Sequence, residues 1–173
     1  HANRDLSELA RQKGRKFYHE STVMDGAPIF SLFREALPGA NLKRLRGVLN
    51  STTNMMLTRM ELGDSFDEAV VYCQKIGIAE TDPSGDIDGW DASVKVAALT
   101  TVLMGIPLKP QQVQRQGIRH IGPKEVAEAK AKGLRYKLVC ESERVGDGVR
   151  ASVTPILVGT DSPMYGAEGT TSI

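Results

Sequence analysis

Residues 90–104, WDASVKVAALTTVLM, leave almost no polar face on a helix. Val94, Val96, Ala97, Ala98, Leu99, Val102 and Leu103 are spread round its circumference, so the helix needs cover from the rest of the chain nearly all round. Lys95 is its single base. A charge on a buried helix costs on the order of several kcal/mol unless it is paired. Asp91, four residues earlier, shares the face of Lys95 and can supply the pair. The helix is entered from an acidic loop carrying Glu80, Asp82, Asp86 and Asp88. One amine among carboxylates at the mouth of an apolar helix suits a small zwitterion and a proton transfer.

The chain can provide the required cover. With 173 residues and 40% hydrophobic content, one domain with a sizeable core is expected. A net charge of +1 gives no bulk attraction to nucleic acid or to a membrane surface. No apolar run reaches the roughly 18 residues of a membrane helix, and no signal peptide is visible. Cys73 and Cys140 are too few for a disulfide framework and are read as reduced core thiols, so the expected location is cytoplasmic. The chain opens within a helical pattern and stops just after GTTSI, which reads as a strand, so both ends are expected to be cuts from a larger protein.

Periodicity and breakers divide the chain. A helix is expected over Asp5–Lys13, stopped by Gly14, then a short strand over Lys16–Glu20 and a loop over Ser21–Pro28. Ile29–Leu37 continues as a helix up to Pro38 and Gly39, and Leu42–Leu49 reads as a strand. The polar cluster Asn50–Thr53 can cap a helix running to Leu62. Ser65 and Glu68 form a capping box for a helix to Lys75 that ends at Gly77. Asp88 and Asp91 are placed to cap the apolar helix. A further helix over Pro123–Lys132 precedes two strands, Leu134–Ser142 and Val149–Leu157, joined by a turn at Gly146–Gly148. The expected class is α+β: a mixed β-sheet covered by helices on one face.

Other chemistries fit poorly. Asp86, Asp88 and Gly89 match an EF-hand loop starting at Ser84, but Lys95 then falls where the bidentate Glu belongs. His1, His19 and His120 show no nucleophile or zinc motif. Gly146 and Gly148 lack the third glycine of a dinucleotide loop and precede a strand, so a nucleotide would bind on parts outside this chain.

Three segments carry a resemblance: HESTVMDGAPI (19–29), GVLNSTTNMMLTRME (47–61) and AETDPSGDIDGWDASVKVAAL (79–99). Together they resemble the substrate-binding and dimerisation domain of homoserine dehydrogenase, over about residues 4–173. The resemblance implies reversible, NAD(P)-dependent oxidation of L-homoserine to L-aspartate 4-semialdehyde in threonine and methionine biosynthesis. It implies that Lys95 is the proton donor or acceptor, and that Glu80, Asp91 and Asp86 bind the substrate. It also implies a sodium-type site made by Glu20 with the backbones of Val23, Asp25 and Ala27, and a homodimer. The nucleotide-binding domain, with a second functional lysine, would precede His1, so this chain alone should be inactive. Asn3-Arg4 is only a superficial match to that lysine segment, and Gly85 replaces an acid common among relatives. On this reading residues 1–20 lead from the nucleotide-binding domain, 21–155 form the substrate-binding and dimerisation domain, and 156–173 return toward the former. The competing class is a noncatalytic amino-acid-binding or dimerisation module of the same fold. Met55, Met56, Leu57 and Met60 are expected to exceed what one small core needs and so to favour self-association.

Overall fold

A helix as apolar as residues 90–103 has to be placed first, and here it lies across a sheet. The computed structural model describes residues 2–173. In chain order the elements are α1 (Ala2–Gln12), α2 (Ile29–Ala36), β1 (Arg44–Gly47), α3 (Ser51–Glu61), α4 (Phe66–Lys75), α5 (Ser84–Ile87) and α6 (Trp90–Leu103). They continue with β2 (Gln114–Arg115), α7 (Pro123–Ala131), β3 (Arg135–Val145) and β4 (Gly148–Val158). The sheet order is β1-β3-β4-β2, antiparallel except for the parallel β2–β4 pair, so it is mixed.

Helices α3, α6 and α7 cover one face of the sheet, while α4 packs on α3 and α2 on α6. Strand alternation sends Leu138, Cys140, Ala151 and Val153 into that helical layer, where they meet Met56, Leu57, Val96 and Leu99. Each Leu, Met or Val among them contributes about 1.5–3 kcal/mol of transfer free energy. The hydroxyl of Thr100 donates to Ser142 Oγ at 2.8 Å, which satisfies two buried polar groups between α6 and β3. On the other face, Val48, Val139 and Val158 are covered by Met164 of the C-terminal strap, residues 163–173.

A buried polar node holds that strap. The amide of Asn54 donates to the carbonyls of Ala167 (3.1 Å), Gly169 (3.0 Å) and Thr171 (3.1 Å). Its Oδ1 accepts from Lys137 Nζ at 2.9 Å, and Lys137 donates again to the Ala167 carbonyl. Lys137 is only 1% exposed, and burial holds its amine below the usual lysine value. The strap ends in backbone pairing, Val48 N to Ile173 O at 2.7 Å and Ile173 N to Val48 O at 3.0 Å. Gly47 permits this approach, because a Cβ there would overlap the Ile173 carbonyl.

Several expectations change. Residues 16–20 form no strand: no element of the sheet reaches them for pairing. GTTSI is not a strand either, and only its last residue pairs, with Val48. The strand β2 and the single-turn α5 lacked a periodic signal. Helix α6 is not covered all round, since Trp90 is 41% and Val94 49% exposed. Met56, Leu57 and Met60 are buried within this chain's own core, so their apolar surface is no argument for a partner. His1 lies outside the described residues.

The strap node can be tested by stability. Asn54→Ala would take one of two acceptors from a buried lysine and the side-chain donor from the Gly169 and Thr171 carbonyls, and chemical denaturation should show a loss of about 3 kcal/mol or more. A loss well under about 1 kcal/mol would contradict the role given to the node.

Candidate functional site

The candidate site lies where the N-terminus of α3 meets the start of α6. Asn50 caps α3: its Oδ1 accepts from Thr53 N at 2.8 Å and from Thr53 Oγ1 at 2.8 Å. The preceding residue, Leu49, offers its carbonyl to Lys95 Nζ at 2.9 Å. Lys95 also lies 2.9 Å from Asp91 Oδ2, the pair expected from their four-residue spacing. An ammonium group has three N–H donors, so these two acceptors leave one available to a ligand. The Lys95 side chain is 21% exposed and that of Asp91 38%. The amine is therefore sheltered but reachable from solvent.

A cavity of about 370 Å³ opens over this amine. Glu80, Asp82, Asp86, Asp91 and Lys95 line it together with Asn50 and Thr52. The excess of carboxylates gives the cavity a negative field that favours a cationic group. Glu80 sits at the open rim, exposed, in a loop fixed by Gln74 Nε2, which donates to the carbonyls of Glu80 (3.2 Å) and Thr81 (3.0 Å). Asp82 caps the turn into α5 by accepting from Ser84 N at 3.0 Å, and that bond holds its carboxyl below the ordinary value. Asp86 is joined to Asp91 through Asn50, whose Nδ2 donates to Asp86 Oδ1 at 2.6 Å and to Asp91 Oδ2 at 2.9 Å. Thr52 ties the far wall by donating to the Ile78 carbonyl at 2.9 Å. A second cavity, about 400 Å³ and lined by Phe17, Phe30, Val94 and Val102, carries neither carboxylate nor ammonium.

Asp88 is not a cap for α6. The cap position belongs to Gly89, whose φ of 78° suits a residue without a Cβ. Asp88 turns instead to Arg119, with Nη2 to Oδ2 at 3.1 Å, and Arg115 donates to the Asp88 carbonyl while stacking 3.8 Å from the Trp90 ring centroid. The Arg119 guanidinium holds the Asp88 carboxyl below its usual range.

The expected cation positions lie on the loop that leads into α2. Glu20 accepts from the backbone N–H groups of Phe30 (3.2 Å) and Ser31 (2.5 Å) and from the Ser31 hydroxyl. That hydroxyl is the largest cause of its lowered carboxyl value. Val23 is 4% exposed, and Ala27 offers a carbonyl that already accepts from Ile29 N at 2.9 Å. Val23 and Ala27 have only backbone oxygen to offer a cation.

The residue missed from the sequence is Asn50. Its position before α3 signalled a cap, but nothing local signalled that its amide would bridge two acids 36 and 41 residues away.

Comparison with known proteins follows the same segments. The homoserine dehydrogenase family model matches residues 28–173. The chain is 36% identical over 169 residues to an NAD(+)-dependent homoserine dehydrogenase of Pseudomonas canavaninivorans, covering 97% of this chain and 48% of that protein. Among solved structures, a putative homoserine dehydrogenase of Archaeoglobus fulgidus superposes with a TM-score of 0.88 at 29% identity, over 98% of this chain and 51% of that one. A hyperthermophilic archaeal homoserine dehydrogenase mutant in complex with NADPH superposes with a TM-score of 0.77 at 35% identity, over 95% and 47%. The chain thus spans about half the length of the curated relatives it matches.

The Asp88–Arg119 pair yields a pH prediction. A lowered carboxyl value means the pair stabilises the fold above about pH 4 and loses that contribution as pH falls through the folded Asp88 value. Both groups are partly exposed and screened by solvent, so Arg119→Gln should lower the urea midpoint only slightly near neutrality. Urea midpoints should converge for the two proteins once pH falls below the folded Asp88 value. An undiminished gap in acid would contradict the pairing.

Proposed function

The chain belongs to the homoserine dehydrogenase family, and we propose that it is the substrate-binding, catalytic portion of an NAD(P)-dependent enzyme interconverting L-homoserine and L-aspartate 4-semialdehyde. One observation carries the reading: the Lys95 amine lines a carboxylate-rich cavity, held by two acceptors with one donor unused. The acids Glu80, Asp86 and Asp91 bind the substrate ammonium, and the rim position of Glu80 suits a group that meets the substrate as it enters. A fixed ammonium restricts the remaining rotation of a four-carbon substrate and brings its terminal oxygen toward Lys95.

In the reducing direction negative charge grows on the aldehyde oxygen. Lys95 stabilises that charge and delivers a proton to the oxygen, giving the alcohol. In the oxidising direction the neutral amine accepts the hydroxyl proton. Asp91 and the Leu49 carbonyl hold the amine in place through the transfer, and its solvent exposure lets it exchange protons afterwards. A bound nicotinamide nucleotide supplies the hydride chemistry. No residue of this chain is assigned to bind it, and the chain by itself is proposed to lack dehydrogenase activity. The match to homoserine dehydrogenases disfavours the noncatalytic alternative.

The remaining assignments are part of the same proposal. Residues 1–20 and 156–173 connect to a nucleotide-binding domain, and 21–155 form the substrate-binding and dimerisation domain. The donor set of Glu20 with the Val23, Asp25 and Ala27 backbones suits a hard monovalent cation such as sodium. Glu20 would share its oxygens between that cation and the N-terminus of α2. A cytoplasmic place in threonine and methionine biosynthesis fits two free, buried thiols pushed up by burial to about 11 (Cys73) and about 12 (Cys140). No helix of the described residues is long and apolar enough to cross a membrane. A nucleic-acid partner is not proposed, given the near-neutral charge.

Two measurements test this. Lys95→Ala in the longer protein that carries this chain should lower kcat by roughly 10²-fold or more with an unchanged thermal transition. Activity within a few-fold of the parent would rule out Lys95 as the proton carrier. Light scattering on the same protein should give a dimer mass, and a strict monomer would contradict the proposed assembly.

A further inference from the structure

We propose that Asn50 is a positioning residue of the site: its amide holds the Asp86 and Asp91 carboxylates beside one another and leaves one oxygen of each for a ligand's ammonium. The inference rests on the reading of the cavity as an amino-acid site and adds to it a residue whose amide hydrogens are spent on the two carboxylates rather than on the substrate.

Two carboxylates on one cavity wall repel, and each needs a donor to stay ordered. A lysine or arginine between them would supply donors but would also cancel the charge that attracts an ammonium. A neutral group with two N–H bonds avoids that conflict. Asn50 is 3% exposed and uses its whole capacity: Nδ2 donates to Asp86 Oδ1 and Asp91 Oδ2, and Oδ1 accepts from Thr53 N and Thr53 Oγ1. The amide cannot flip, because Nδ2 would then face the Thr53 N–H and Oδ1 would face two carboxylates.

The consequence extends to the amine. Asp91 Oδ2 accepts from Asn50 at 2.9 Å and lies 2.9 Å from Lys95 Nζ, so one oxygen fixes both. The next carbonyl back, Leu49 O, takes a second Lys95 donor at 2.9 Å. Asn50 and its neighbour therefore place all three charged groups from one point of the backbone. Among the described residues, Asp91 Oδ1 and Asp86 Oδ2 accept no hydrogen bond, which leaves two acceptors at the spacing the amide imposes.

Capping alone does not require asparagine, since serine and aspartate cap helices as well. That separates the two roles. In the longer protein, Asn50→Ser keeps a cap and removes the bridge, while Asn50→Asp keeps the shape and sets a third carboxylate against two others. Asn50→Ser should raise KM for homoserine by roughly tenfold to a hundredfold, the worth of hydrogen bonds to charged groups, with KM for the nucleotide unchanged. Asn50→Asp should be worse near neutrality and should recover toward Asn50→Ser as pH is lowered, because protonating the new acid restores a donor. A homoserine KM within about twofold of the parent for Asn50→Ser, or equal changes in both substrates' KM, would overturn the proposal. So would identical pH profiles for the two variants. A crystal structure of Asn50→Ser gives an answer independent of turnover: the Asp86 and Asp91 carboxylates should move apart, and unchanged positions would overturn the role. If the parent enzyme itself fails to turn over homoserine, the functional reading fails, and that structure still decides for or against Asn50.

Discussion

The interaction on which the site depends is the seating of the Lys95 amine between the Asp91 carboxylate and the Leu49 carbonyl. Helix α6 buries one apolar side against the sheet, and its one base is carried partly inward with it. A sheltered ammonium needs acceptors, and only one of them is local. The other comes from a carbonyl 46 residues earlier in the chain. The site therefore exists only once β1, α3 and α6 have come together, and its geometry is inherited from the packing of the core.

The rest of the fold can be understood as support for the short segment 48–50. Before it, β1 pairs with β3 through four residues. After it, α3 is capped by Asn50. Beside it runs the strap, paired to Val48 through Ile173 and clamped by Asn54 and Lys137. From the opposite side the acidic loop is fixed by Gln74 and by the Asp88 contacts with Arg115 and Arg119. A cavity wall held on several sides keeps its charged groups in place without a ligand, which is the preorganisation that proton transfer to a developing oxyanion requires.

What could be read from the sequence was what is decided locally or by strong periodicity. The Ser65–Glu68 capping box, the apolar α6 and the β3–β4 hairpin formed with small shifts of their ends. Lys95 and Asp91 met because helical spacing alone brings them together. The errors have a common cause, which is dependence on distant partners. Residues 16–20 had strand-like composition but no neighbouring strand. Gln114 and Arg115 carry no pattern of their own and became β2 because Ser152 and Val153 lay alongside. Asp88 had the right position for a cap, yet an arginine 31 residues away offered a stronger partner and Gly89 could take the left-handed turn. Asn50 was legible as a cap and illegible as a bridge for the same reason.

Family membership and site geometry bear on different questions. Membership gives the reaction class of the relatives, while the cavity shows how this chain's own residues could serve it. The most direct test is a crystal structure with homoserine bound. The account predicts the substrate hydroxyl about 3 Å from Lys95 Nζ and its ammonium within hydrogen-bond reach of the Asp86, Asp91 or Glu80 carboxylates. Homoserine seated elsewhere, or bound with its hydroxyl more than about 6 Å from that amine and no bridging water, would contradict it.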